Sequence, residues 1–512
     1  MIEIKEYSGH IRNHRALCQE LGIKQGLTRQ EREREIIIQG FEKWGYSLPE
    51  HIYGMFAFVL YDTDNDTYIL FRDQFGTVPM YYYETSGGRL LFATQIRSII
   101  ADNDFVKVLN EKMLGIYLTM TYTTGEETFF EGVYKLLPGR YMVWNKGEKE
   151  IVRYWKPTFN PDDSKTLDEW ADELHETVKL IMKEVKDEDE QVESFLSGGV
   201  DSSYVLAMSD AAACNSVGYN DERLDESRIA INTADILGRK FNRCLVEPED
   251  YFGAVRYVME NMEVPLGDAS AVAFALGCIA TAKNTKICYS GEGADEFFGG
   301  YNMYRNAERY GDNLKTFYVG NTNIMKEEEK QKILKNYTGD FLPIDLVKSI
   351  YEENEGLDPL SKMSDVDIQV WLEGDIYLNV DKMSKAAGLE VRMPLTDLRV
   401  FDIASRMPSK YKVNSQDEHN KLALRRAASK VLPEEIAYRK KLGFVVPIRM
   451  WMADDRYNAD VRRLFNSEIA EKFFNIDEIK AIFDEYIGGN SDNWRKVYVI
   501  YTFLLWYEIY FG

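Results

Sequence analysis

The run of apolar and polar positions divides the chain in two. Gly54-Met55-Phe56-Ala57-Phe58-Val59-Leu60-Tyr61 is almost unbroken apolar sequence, followed by the polar stretch Asp62-Thr63-Asp64-Asn65-Asp66 and a second run, Tyr68-Ile69-Leu70-Phe71. Two β-prone runs on either side of an Asp/Asn-rich turn predict a hairpin. Met80-Tyr81-Tyr82-Tyr83 and Leu90-Leu91-Phe92-Ala93, around Ser86-Gly87-Gly88, predict a second. Asp62, Asp64 and Asp66 imitate the start of a calcium loop, but Thr67 stands where the sharp turn needs glycine and Asp73 where a bidentate Glu belongs. The cluster is therefore read as a plain turn. After a linker-like Asn160-Pro161-Asp162-Asp163-Ser164-Lys165 the period changes. Leu167, Trp170, Ala171, Leu174, Val178 and Ile181 recur at helical spacing and predict an amphipathic helix. Short apolar strands and helices then alternate to about residue 300, the signature of a parallel sheet; the remainder reads as mostly helical. The expected division is a β-rich domain over residues 1–155 and an α/β domain over 156–512.

A chain of 512 residues is too long for one ordinary core, which agrees with two domains. Apolar residues make up 45% and charged residues 29%, the balance of a soluble globular protein. Lys+Arg 62 against Asp+Glu 84 leaves a net charge of −22, and no basic run offsets it, so no nucleic-acid partner is expected. The acidic run Lys186-Asp187-Glu188-Asp189-Glu190 is expected to be a solvated loop. Five cysteines lack metal-ligand spacing or a disulfide rhythm, and no signal peptide is evident, which points to the cytoplasm. Val497 to Phe511 is apolar but short and interrupted by Glu508. It is expected to be a buried helix, with no membrane partner.

The candidate chemistry begins at Val192-Glu193-Ser194-Phe195-Leu196, which feeds Ser197-Gly198-Gly199-Val200-Asp201-Ser202-Ser203 and then the helical Tyr204-Val205-Leu206-Ala207-Met208. A strand that enters a glycine-rich turn and opens a helix presents backbone N–H groups and serine hydroxyls to an anion. Glycines let the main chain approach phosphate oxygens. No Gly-Lys-Ser/Thr follows, so this is not the common nucleotide triphosphatase loop. Ser-Gly-Gly-Val-Asp-Ser resembles the pyrophosphate-binding loop of ATP pyrophosphatases, which implies ATP cleaved between its α- and β-phosphates. A second loop, Gly291-Glu292-Gly293-Ala294-Asp295-Glu296-Phe297-Phe298-Gly299-Gly300-Tyr301, follows the strand Ile287-Cys288-Tyr289-Ser290. In an open parallel sheet such loops line one edge. Asp201 and Asp295 are therefore expected to meet as oxygen ligands for Mg²⁺, with Glu292 as the base that takes a proton from an attacking amine.

Ser290 to Tyr301, taken with Ser197 to Ser203, resembles the synthetase domain of asparagine synthetases, whose related branches include β-lactam synthetases and lasso-peptide cyclases. Val380 to Ser384, Leu389 to Asp397 and Arg439 to Phe444 agree, as do Gly54 to Tyr61, Arg72 to Tyr81 and Leu137 to Tyr141. The order is kept over nearly the whole chain. That excludes GMP synthetase, NAD synthetase and tRNA-thiolating enzymes, which share only the phosphate loop. The resemblance implies an α/β protein: a truncated glutaminase-like α+β domain, then a parallel-sheet ATP-pyrophosphatase domain (adenine nucleotide alpha hydrolase-like) with a largely helical C-terminal part. It implies that Lys382 and Lys441 neutralise the polyphosphate and the charge growing on the α-phosphate, and that Leu196, Val217, Ser290 and Gly291 contact ATP. It implies an AMP-forming ligase that joins a carboxylate, aspartate by default, to ammonia or an amine.

Glutamine-using asparagine synthetases expose an N-terminal Cys whose own amine is the base. Here Ile2 follows Met1, Cys18 is internal, and Tyr7 to His14 resembles a stretch well inside the usual glutaminase domain. The expectation is a shortened domain without glutaminase activity, although a start site placed too far downstream gives the same sequence. Nitrogen would then come from free ammonia, a separate protein or an amine on the substrate. Asp268 stands where some asparagine synthetases carry an Arg that pairs with a substrate carboxylate, and Thr396 replaces the usual Leu before Asp397. Amidation of a peptide or sugar acid, cyclase chemistry and a non-catalytic ATP-binding scaffold stay open.

Overall fold

The computed structural model describes residues 1–186, 190–414, 419–440, 443 and 445–512. The N-terminal part holds β1 (Ile2–Ile11), β2 (Gly54–Asp62), β3 (Thr67–Arg72), β4 (Tyr81–Glu84), β5 (Leu90–Ala93), β6 (Tyr134–Lys135), β7 (Arg140–Asn145) and β8 (Glu148–Arg153). Five of these form an antiparallel sheet in the order β1-β2-β3-β7-β8, and β5-β4-β6 form a smaller one. Both expected hairpins are present, with Leu60 opposite Ile69 in the first and Tyr82 opposite Phe92 in the second. The turn at Asp62 is closed by its own side chains, since Asp62 accepts from Asp64 N–H and Asn65 Nδ2. Asp73 instead accepts from the N–H groups of Phe75 and Thr77.

The unbroken apolar character of β2 has a packing reason. Side chains alternate across a strand, and both faces of this one are buried. Phe56, Phe58 and Leu60 pack with Ile11, Leu17, Ile36 and Ile37 beneath the helices His14–Leu21 and Arg29–Trp44. Met55, Ala57 and Val59 point the other way into a core that contains Trp170, Phe297 and Phe401 from beyond residue 156. The two parts of the chain thus share a core.

The second part is built on five parallel strands, β9 (Val192–Phe195), β10 (Ala213–Gly218), β11 (Lys240–Leu245), β12 (Ile287–Tyr289) and β13 (Glu390–Arg392), in the order β11-β10-β9-β12-β13. From β9 the chain builds outward on one side through β10 and β11, then returns to place β12 on the other. The crevice where this direction reverses lies at the loops after β9 and β12. β13 falls in the stretch the sequence pattern reads as helical; three residues are too few to show a period. The amphipathic helix is Leu167–Glu184, with Trp170, Ala171, Leu174, Val178 and Ile181 buried as spaced.

The apolar C-terminal stretch is the helix Trp494–Phe511, buried from Val497 to Tyr507. Among the described residues no helix is long and apolar enough to cross a membrane. Asp187, Glu188 and Asp189 of the acidic run lie outside the described residues. Glu190 at its end is not merely solvated: it accepts both Arg392 NH groups and an Arg29 NH, joining the two parts of the molecule.

Candidate active site

β9 ends at Phe195 and the chain turns through Ser197-Gly198-Gly199 into the helix Val200–Met208, capped by Gly199. Gly198 has φ +83°, a conformation that side chains strain to adopt. Ser197 and Ser202 hydroxyls lie 3.1 Å apart at this mouth, and Ser197 Oγ also accepts from Gly199 N–H at 3.3 Å. Ser202 and Ser203 hydroxyls both donate back to Gly199 O, at 3.3 and 2.8 Å, and Ser203, fully buried, serves to brace the turn. The loop after β12 is pressed against this one. A Cβ on Gly291 would fall 2.9 Å from Ser202 N and 3.0 Å from the Asp201 side chain.

The expected meeting of Asp201 and Asp295 is present in the geometry, and a third group stands between them. Lys421 Nζ lies 2.6 Å from Asp201 Oδ2 and 2.7 Å from Asp295 Oδ1, with its side chain only 3% exposed. Its backbone is left-handed, φ +60°, which is costly for a non-glycine residue. Gly300 makes room for the arrangement, because a Cβ there would collide with both Asp295 Oδ1 and Lys421 Cε. Among the described residues, Asp201 Oδ1 is buried without a hydrogen-bond donor. Sequence reading missed Lys421. The available signal was a lysine at the N-cap of the helix Leu422–Ala428, where the helix dipole disfavours a cation.

The other expected residues divide. Glu292 is partly accessible, accepts from Ser290 Oγ at 3.1 Å, and has its backbone carbonyl held by Thr396 Oγ1 at 2.9 Å. Thr396 is in turn held from the N-terminal domain, since Arg12 NH2 donates to Thr396 O at 2.5 Å. Leu196 turns its side chain into a small core with Leu206, Cys214 and Ala230, leaving only its backbone near the loop. Val217 lies on β10, partly buried, and lines a small cavity with Phe195, Asn215 and Cys244. Lys382 is not gathered with the Asp201–Asp295 pair. Its ammonium is buried on Glu263 Oε2 at 2.5 Å and Thr94 O at 3.3 Å. Glu263 is fully buried and also accepts the Ile96 and Arg97 N–H groups, so a cation was needed there for packing to tolerate it. Lys441 lies outside the described residues.

The oxygen set suits a hard divalent cation. Among the described residues no group of three or more His, Cys, Asp and Glu side chains converges, so Asp201 and Asp295 would supply two ligands and the rest would come from phosphate and water. Asp201 Oδ1, buried and without a donor among the described residues, is the atom this fit rests on.

Comparison with known proteins identifies the neighbours of this architecture. The asparagine synthase family model matches residues 169–508, and a glutamine amidotransferase domain model matches residues 4–155. Asparagine synthetase [glutamine-hydrolyzing] 1 of Bacillus subtilis (strain 168) is 29% identical over 546 aligned residues, covering 98% of this chain and 85% of that protein. A putative asparagine synthetase [glutamine-hydrolyzing] of Mycobacterium tuberculosis (strain ATCC 25618 / H37Rv) is 27% identical and covers 98% and 84%. Amidase chry2 of Gibberella zeae is 31% identical over 53% of this chain and 43% of its own length.

Proposed function

Because the chain belongs to the asparagine synthase family, a family of ATP-dependent amide ligases, we propose that it activates a carboxylate as its adenylate, releases pyrophosphate and passes the acyl group to ammonia or an amine. The observation that carries this reading is the convergence of Asp201 and Asp295 beside the serine–glycine turn at a helix N-terminus. That turn would hold the departing pyrophosphate, with Ser197, Gly198, Gly199 and Ser202 at the phosphates. Bound Mg²⁺ would neutralise phosphate charge between the two aspartates. Glu292, partly accessible at the same edge, would take the proton of the attacking nitrogen.

Aspartate is the default carboxylate. Nitrogen is proposed to arrive as ammonia, as an amine, or from a separate protein. Exchange of labelled pyrophosphate into ATP, run across a panel of carboxylates, tests the first half. Stimulation by aspartate is expected; exchange with no carboxylate at all would discard it. Glutamate release from glutamine by the purified chain would overturn the proposal on nitrogen.

A further inference from the structure

The hairpin of β7 and β8 carries a pairing that elementary electrostatics disfavours. At its end away from the turn, Arg140 and Arg153 stand directly opposite each other. Residues so paired put their side chains on one face of the sheet, with Cβ atoms about 4.5–5.5 Å apart, and like charges there are destabilising. Arg153 has partners for its charge. Its Nη2 donates to Gln369 Oε1 at 2.9 Å and its Nε to Trp155 O at 3.3 Å, while Nη1 lies 3.5 Å from Glu353 Oε1. Arg140 is half-buried, and among the described residues its guanidinium makes one long hydrogen bond, 3.3 Å to Pro138 O.

Both arginines line one cavity of about 110 Å³ between the two parts of the chain. From the second part, Leu346 and Glu353 of the helix Pro343–Glu353 and Gln369 of the π-helical stretch face them across it. Trp155 and Leu137 add apolar wall. Glu353 is the one carboxylate in this lining, and it is already shared, with Lys156 Nζ 2.9 Å from its Oε2. Positive charge is therefore in excess. None of the lining residues belongs to the loops that carry Asp201 and Asp295, so the cavity is separate from the candidate active site.

Burial and then Arg153 pull the Arg140 guanidinium below its ordinary value, against Glu126 and Glu353, yet an arginine stays charged. An oxyanion between the two guanidinium groups would turn their repulsion into two attractions. The planar fork of donors on arginine matches a carboxylate edge. The mixture of apolar wall and a few polar groups at a domain boundary is that of a small-molecule site, and the wall suits an organic tail better than a hydrated inorganic ion. A cavity of roughly 150 Å³ holds a benzene ring, so this smaller one has room for a carboxylate with a tail of about three carbons.

We propose that this cavity binds a small organic carboxylate, its oxygens on Arg140 and Arg153 and its tail against Trp155 and Leu346, bridging the two parts of the chain. The proposal does not rest on the ligase reading. The test is calorimetric titration and thermal denaturation of the whole chain with sodium butyrate, against n-butylammonium chloride, sodium phosphate and sodium chloride at equal ionic strength. Butyrate is expected to bind saturably and raise the melting temperature. Butylammonium, with a similar tail and the opposite charge, is expected to do neither, and phosphate to bind more weakly than butyrate. Arg140→Gln is expected to weaken butyrate binding at least tenfold, with Arg140→Lys, charged but without the fork, in between. Leu346→Trp fills the apolar side and is expected to abolish binding; it carries the test if Arg140→Gln does not fold. Butyrate indistinguishable from chloride overturns the proposal, as does wild-type affinity in Arg140→Gln or Leu346→Trp. Phosphate bound as tightly as butyrate overturns the assignment to an organic carboxylate.

Discussion

At the scale of single residues, the most informative group is Lys421. Its ammonium sits on both carboxylates that the proposed chemistry would give to a metal, so a bound metal would have to compete with it for one position. Removing one partner of a buried ionic cluster leaves uncompensated charge and costs about 3–5 kcal/mol. Lys421→Met is therefore expected to melt well below the wild type in EDTA and to recover much of the loss in millimolar MgCl₂. Thermal denaturation with and without metal reads both effects. A variant that melts like the wild type, or that ignores magnesium, would show the pairing to be incidental. No local period marks Lys421, whose partners lie 220 and 126 positions away in the sequence. Lys382 teaches the converse, since a lysine in a family-like stretch is spent on Glu263.

At the scale of elements, the π-helical stretch Asp367–Ile376 packs acidic side chains into the interior. Asp367 is fully buried and accepts the hydroxyls of Tyr304 and Tyr318. Burial pushes its carboxyl up to about 7, despite those two hydroxyls, which favour the charged form. Between the ordinary carboxylate value and about 7 the folded state therefore holds a proton that the unfolded state has lost. Its contribution is fully present below the unfolded value and is lost as pH rises toward 7. Asp367→Asn should flatten that slope, which denaturant midpoints measured from pH 4 to 8 would show. An unchanged slope would mean that Asp367 titrates normally. The sequence pattern reads this region as helical but not as π-helical, because ten residues of mixed apolar and acidic character are too few to separate the i→i+5 form from the i→i+4 form by period.

At the scale of the whole molecule, the N-terminal domain reaches into the candidate site. Arg12 is 3% exposed, donates to Met393 O and Thr396 O, and pairs with Asp397 at 3.2 Å. Thr396 Oγ1 then holds Glu292 O and contacts Tyr377 OH at 3.0 Å. Burial acts against the Asp397 charge, yet Arg12 and Arg399 hold its carboxyl below the ordinary value. Arg12→Lys keeps the charge but loses the planar fork. It is expected to lower kcat about tenfold or more with little change in the KM for ATP, since misplacing a reacting group by an ångström is enough. A rise in KM alone would place Arg12's influence at the nucleotide instead. Further ionic ties cross the same boundary: Arg72 and Lys135 both grip Glu373, and Arg29 reaches Glu190 and Glu390. The domain that resembles a glutaminase is thus also a brace for the synthetase loops.

What the sequence determined by itself was local. Alternating and unbroken apolar runs specified the hairpins and the helix Leu167–Glu184, and two strand–glycine–helix passages specified both loops and their edge of the sheet. Each of these is written in spacings of a few residues, where backbone geometry and period act directly. The tertiary structure alone decided which charges find each other: Lys421 beside Asp201, Lys382 on Glu263, and Arg12 beneath the Glu292 loop. Those pairings join positions a hundred residues or more apart, and burial in a shared core, not any local pattern, fixes them.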